Sequence, residues 1–116
     1  MRTFGEIQRA VDVAREAVAA GGAAALAWWR KDPPAEVKAD TSPVSQADRE
    51  SDAAILGVLR AAFPDHDVLS EESGARGPGF CDCRWIIDPL DGTRGFLRGD
   101  PTWGPLVALE YQGRLV

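Results

Sequence analysis

The sequence predicts an α/β fold in which two helices pack on part of a sheet, and three observations carry that prediction. Apolar residues recur at helical spacing from about residue 3 to 30 and again from about 45 to 63. Three apolar runs of strand length follow, at Val68-Leu69, Trp85-Ile86-Ile87 and Leu106 to Tyr111. Gln112-Gly113 then gives a hairpin signal before Arg114-Leu115-Val116. Helices followed by strands point to a layer of helix on a layer of sheet.

The first helix is expected over residues 3 to about 30. Thr3 and Glu6 form a capping box, and Phe4, Ile7, Val11, Ala14 and Val18 form an apolar stripe. Gly21-Gly22 weaken the pattern, Trp28-Trp29 cap the packed face, and Asp32-Pro33-Pro34 stops the helix. Residues 35–44 read as an extended piece and a loop. Ser45 is the expected N-cap of the second helix, with Ala47, Ala54, Ile55, Val58, Leu59 and Ala62 as its apolar positions and Phe63-Pro64 as its end.

Val68-Leu69 reads as a short buried strand running into Ser70-Glu71-Glu72. Gly74 to Gly79 reads as a loop, 84–88 as the next strand, and Gly92 to Pro105 as a loop with a helical turn. The strand at 106–111, if exposed and unpaired, would invite association. A sheet that has only begun its return strand is expected to be part of a larger unit. Residues 1–116 therefore read as the incomplete N-terminal portion of an α/β domain.

Composition narrows the function. Apolar residues make up 45% and charged residues 27%, with a net charge of −5. No basic stripe appears, which argues against a nucleic-acid backbone binder. The N-terminus has no apolar signal core, and the Ala-rich window from Gly21 to Trp29 is too short to span a membrane. Cys81 and Cys83 leave only His66 to complete a zinc set, so they read as free thiols in a reducing cytoplasm. His66 reads as an exposed turn residue, Trp85 and Trp103 as packing, and Arg94 and Arg98 as surface charge.

The chemistry concentrates in Asp88-Pro89-Leu90-Asp91-Gly92-Thr93. Mg2+ takes oxygen ligands and keeps several waters, so one or two carboxylates plus a substrate phosphate suffice. Pro89 cannot donate to a sheet ladder and helps turn the chain out of the strand. That turn can aim Asp88, the Leu90 carbonyl and Asp91 at one point. Gly92 permits close backbone approach, and Thr93 can open a helical turn whose free N–H groups accept phosphate. Glu71-Glu72 also follow a short apolar run. Neighbouring parallel strands would bring Glu71 to the same carboxyl edge as Asp88. Asp48, three residues after Ser45, fits either a helix-start box or an acid that orients Thr93.

Trp85-Ile86-Ile87-Asp88-Pro89-Leu90-Asp91-Gly92-Thr93 resembles the central metal-binding signature of the inositol monophosphatase family. Three further segments match in order. These are Lys38-Ala39-Asp40 with Ser42-Pro43-Val44 and Ala47-Asp48, then Ser70-Glu71-Glu72-Ser73-Gly74, then Arg94-Gly95-Phe96 through Leu109. The last stretch is most similar to the branch that dephosphorylates histidinol phosphate.

The resemblance implies a layered α+β sandwich of the sugar-phosphatase type and Mg2+-dependent hydrolysis of a small phosphate monoester. Histidinol phosphate is the expected substrate, with inositol 1-phosphate as the alternative. It implies that Glu71, Asp88 and the Leu90 carbonyl hold one Mg2+, while Asp88 and Asp91 share a second. Glu71 would also help hold a third ion through water. Gly92 and Thr93 would bind phosphate through their N–H groups, and Thr93 paired with Asp48 would polarise the attacking water. A homodimer is expected of the full-length form.

The chain also departs from the family. Members are commonly more than twice this long, and their second half supplies another metal aspartate and most substrate contacts. Asp100 lacks that setting, and Gly95 stands where many members carry asparagine. A non-catalytic fragment that needs a complementary half is therefore a further expectation.

Overall fold

The Thr3 hydroxyl accepts the Glu6 N–H at 3.1 Å and starts α1, Phe4–Leu26. The computed structural model describes residues 3–30, 43–79 and 81–116. Most of the expected 35–44 segment, including Lys38, Asp40 and Ser42, lies outside them. The Gly21-Gly22 pair does not interrupt α1; a Cβ at Gly21 would stand 2.7 Å from Ile55 and 2.8 Å from the Ser51 hydroxyl. Glycine there lets α1 lie close against α2, Pro43–Ala62.

The buried stripe of α1 is Ala10, Val13, Ala17, Gly21 and Ala25, which corrects the expected stripe of larger residues. Phe4 is 80% exposed, and Ile7, Val11, Ala14 and Val18 instead line an open groove beside Trp85, Leu109 and Val116. Small residues win the helix–helix contact because close approach needs small side chains. Ser45 is likewise not an N-cap. The helix begins at Pro43, whose missing N–H costs nothing in the first turn, so Ser45 lies inside it and Asp48 lies past the helix start.

The sheet runs in the order β2-β1-β3-β4-β5. Its strands are β1 (Asp67–Ser70), β2 (Gly74–Arg76), β3 (Cys83–Asp91), β4 (Gly104–Tyr111) and β5 (Arg114–Leu115). Strand β2 occupies part of the expected Gly74–Gly79 loop. It forms because Glu71-Glu72-Ser73 makes a three-residue hairpin closed by Gly74 at φ 81. Strand β3 runs past Asp88 to Asp91 rather than leaving the sheet at Pro89. Strand β4 is paired with β3 along its length and with β5 at its end, so it is not unpaired. The Gln112-Gly113 turn has φ 51 and φ 82, the left-handed pair a tight hairpin needs.

The helices cover the sheet face that carries Val68, Trp85, Ile87 and Leu109, together with Ile55 and Leu59 of α2. Leu69, expected to be buried, points away and is 38% exposed. A second small core joins Ala25, Ala47, Leu90 and Phe96, flanked by Trp28, Trp29 and Trp103. His66 is half-buried rather than exposed. Its ring stacks on Phe63 at 4.6 Å, and its Nδ1 accepts the Trp85 indole N–H at 3.1 Å. Both cysteines are free thiols, with Cys83 buried. Among the described residues, no helix is long and apolar enough to cross a membrane.

Candidate active site at the carboxyl edge of the sheet

Strands β1 and β3 are parallel neighbours, with Ser70 level with Ile87. Glu71, the first residue after β1, therefore stands beside Asp88 of β3, and the Glu71 N–H donates to the Ile87 carbonyl at 3.1 Å. This is the juxtaposition that the sequence predicted from two acidic strand exits. Between Asp88 and Asp91 the pairing with β4 slips, from Asp88↔Leu106 to Asp91↔Gly104. Two residues of β3, Pro89 and Leu90, thus stand opposite one of β4, Pro105, which makes a bulge. A bulge re-aims side chains, and proline tolerates it because it has no N–H to lose from the ladder. Asp88 Oδ1 accepts the Leu90 N–H at 3.2 Å, which ties that side chain into the bulge.

Gly92 follows at φ 86. A Cβ there would lie 2.6 Å from the Thr102 carbonyl oxygen and 3.1 Å from Trp103 Cα, so both conformation and space demand glycine. It leads into α3, Thr93–Arg98, the expected helical turn, anchored by buried Phe96 against Trp103 at 5.1 Å. The Thr93 hydroxyl donates to the Leu90 carbonyl at 3.4 Å.

The electrostatics are one-sided. Glu71 is held above the ordinary glutamate range, first by the charge of Asp88, then by desolvation, a hydrogen bond with the Asp88 side chain, and Asp91. Asp48, reaching in from α2, is pushed up to about 6 by burial and by Glu72, Asp88, Glu71 and Asp52. Among the described residues, no basic side chain contributes to either shift. The donors are hard oxygens with excess negative charge, which fits a hard divalent cation. Among the described residues, no three His, Cys, Asp or Glu side chains stand together as a ready metal cage. The fit is therefore that of an open site, with Glu71 and Asp88 in contact and Asp91 and the Leu90 carbonyl on the adjoining bulge.

Sequence reasoning missed three buried polar residues behind this edge. Ser51, Asp52 and Ser70 are 0%, 4% and 3% exposed. Ser51 had a legible signal, since Ala47, Ser51, Ile55 and Leu59 recur every four residues on the buried face of α2.

A mixed sheet with helices on one face and an acidic, bulged carboxyl edge defines an α/β protein with an anionic cation-type site. The sequence pattern of the inositol monophosphatase family matches residues 6–116, and the chain belongs to that family. A Streptomyces coelicolor histidinol-phosphatase is 46% identical over 74 residues, 64% of this chain and 27% of its own length. The Nus factor SuhB of Pasteurella multocida is 38% identical over 101 residues, 86% of this chain and 38% of its own. A Streptomyces griseus protein named glucose-1-phosphate thymidylyltransferase is 50% identical over 78 residues, 67% of this chain and 30% of its own. The solved inositol monophosphatase of Zymomonas mobilis superposes with a TM-score of 0.78 at 29% identity, covering 99% of this chain and 43% of that one. The chain thus spans about a third of the length of the curated relatives it matches.

Proposed function

We propose that this family member hydrolyses a small phosphate monoester with Mg2+, by direct attack of water. L-histidinol phosphate is the preferred substrate and inositol 1-phosphate the second. One observation carries the reading: Glu71, just past the end of β1, meets Asp88 on the parallel strand β3, with no basic side chain contributing to the Glu71 shift among the described residues, and Asp91 and Gly92 follow one bulge further on. Similarity to the Streptomyces coelicolor histidinol-phosphatase supports the first substrate, and similarity to the Zymomonas mobilis inositol monophosphatase supports the second.

In this reading Glu71, Asp88 and the Leu90 carbonyl would hold one ion, and Asp88 and Asp91 would help hold another. Bound Mg2+ would neutralise the clustered charge, activate water and stabilise the leaving oxygen. The N–H groups of Gly92 and Thr93 bind the phosphate, and the left-handed Gly92 makes the turn that leads to them. Asp48 and the Thr93 hydroxyl polarise the attacking water. In the structure the Thr93 hydroxyl donates to the Leu90 carbonyl rather than to Asp48. The protein works in the cytoplasm on a soluble metabolite, as a homodimer in its full-length form.

A second reading is that residues 1–116 alone are inactive, because relatives devote more than half of their length to residues with no counterpart here. The test is Mg2+-dependent phosphate release from both substrates, by residues 1–116 and by the gene product extended past Val116. Little release is expected from the short chain. The longer one is expected to favour histidinol phosphate and to lose activity on Asp88→Asn. Normal turnover by the short chain would remove the need for a second half, and normal turnover by Asp88→Asn would remove the metal assignment.

A further inference from the structure

Two neighbouring residues on α2 reach the two acidic turns separately. The Ser51 hydroxyl donates to the Pro89 carbonyl at 2.8 Å, on the bulge that carries Asp88 and Asp91. Asp52 Oδ1 accepts the Ser70 hydroxyl at 2.5 Å, on the turn that carries Glu71. The Ser70 oxygen in turn accepts the N–H groups of Glu72 at 3.1 Å and Ser73 at 3.3 Å. A serine hydroxyl has one proton and two lone pairs. All three are committed here, so Asp52 fixes the direction of the hydroxyl that closes the Glu71 turn.

Core packing alone does not call for these residues. A buried carboxylate is costly unless hydrogen-bonded, and an apolar residue would fill the same place more cheaply. What the polar pair adds is a fixed offset. Both bonds start from adjacent residues of one helix, and Gly21 of α1 packs directly against Ser51.

We propose that Ser51 and Asp52 are positioning residues that lock the Glu71 turn and the Asp88–Asp91 bulge at a set separation, so that both can engage one cation. The proposal rests on reading Glu71 and Asp88 as metal ligands, but its geometric half is testable without metal.

The test uses residues 1–116 with Mn2+ as the probe, read by electron paramagnetic resonance, alongside amide hydrogen exchange by NMR without metal. Asp52→Ala should speed exchange at Glu72 and Ser73 by about three- to tenfold relative to the β3 amides. It should weaken Mn2+ binding by about tenfold, as loss of a residue supporting a ligand does. Ser51→Ala should weaken Mn2+ binding similarly while leaving the Glu72 and Ser73 amides unchanged. Asp52→Asn, which can still accept from Ser70, should restore both readouts. A merely structural role would instead speed exchange throughout the sheet and would not be rescued selectively. If Asp52→Ala does not fold, Ser70→Ala carries the same two expectations. Unchanged Mn2+ affinity in a folded Asp52→Ala protein overturns the proposal. If the wild-type chain binds no Mn2+, the metal reading fails, and unchanged exchange at Glu72 and Ser73 then overturns the clamp as well.

Discussion

At the amino end of β1, Asp67 is buried, and both of its carboxylate oxygens are occupied: Gly79 N–H donates at 2.7 Å and Cys81 N–H at 3.1 Å. Its neighbour across the sheet, Arg84, pairs with Glu110 at 3.1 Å. At the carboxyl end of the same strand, Glu71 faces Asp88, with Asp48 and Asp91 nearby and no basic side chain contributing among the described residues. One sheet thus treats the same residue types in two ways. Charge satisfied inside the chain builds the fold. At the other end the acidic charge has no such partner contributing among the described residues.

The largest loss is expected where the fold is built. Trp85 is 1% exposed and donates to His66, so Trp85→Ala should cost about 3–5 kcal/mol in urea unfolding and collapse the chain's cooperative transition. A cost below about 1 kcal/mol would mean the amino end is not what holds the helices to the sheet.

Next, acid removal should have opposite signs at the two ends. Asp67→Ala strands the Gly79 and Cys81 N–H groups and should destabilise by about 1–3 kcal/mol. Glu71→Gln removes repulsion from the carboxyl edge and should raise the stability of the metal-free chain. Denaturation of both variants in a chelator decides the point; equal signs would erase the contrast.

The smallest effect is a pH slope. Burial lowers His66 from the ordinary histidine value of 6.5. The unfolded chain then binds this proton more readily than the folded one. Its contribution to stability is present above 6.5 and is lost as pH falls through the lower folded value. Asp48 acts with the opposite sign. Raised to about 6, it favours the folded state below its unfolded value near 3.8, and that contribution fades as pH rises through 6. Unfolding at pH 7.5 and 5.5 should show His66→Gln reducing the acid-side loss, and Asp48→Asn increasing it.

The carboxyl edge was partly legible in the sequence because its signals are local: Asp-Pro-Leu-Asp-Gly-Thr and Glu-Glu each follow an apolar run, and the need for glycine at 92 is readable from neighbours. The strand exit at Pro89 was not, because a proline without an N–H is tolerated equally at a strand end and in a bulge, and β3 runs on to Asp91. The pairing that brings Glu71 beside Asp88 was legible only as a condition, since register depends on contacts distant in sequence. The helix faces were less legible. On α1, alanine and glycine fit either face, and the larger stripe turned out to line a groove rather than the helix contact. Strand β2 was missed because Gly74-Ala75-Arg76 has no strand propensity of its own and exists only by pairing with β1. Ser51 and Asp52 were missed because polar residues inside a helix ordinarily face water, and nothing local reveals partners 38 and 18 residues away.

In the proposed function the carboxyl edge takes a divalent cation from solution. Urea unfolding of residues 1–116 with and without Mg2+ tests it directly, for the wild type and for Asp88→Asn. Mg2+ at a hundredfold excess over its dissociation constant should stabilise the wild type by about 2.7 kcal/mol and leave Asp88→Asn unmoved. No shift in the wild type, or equal shifts in both, would contradict the account.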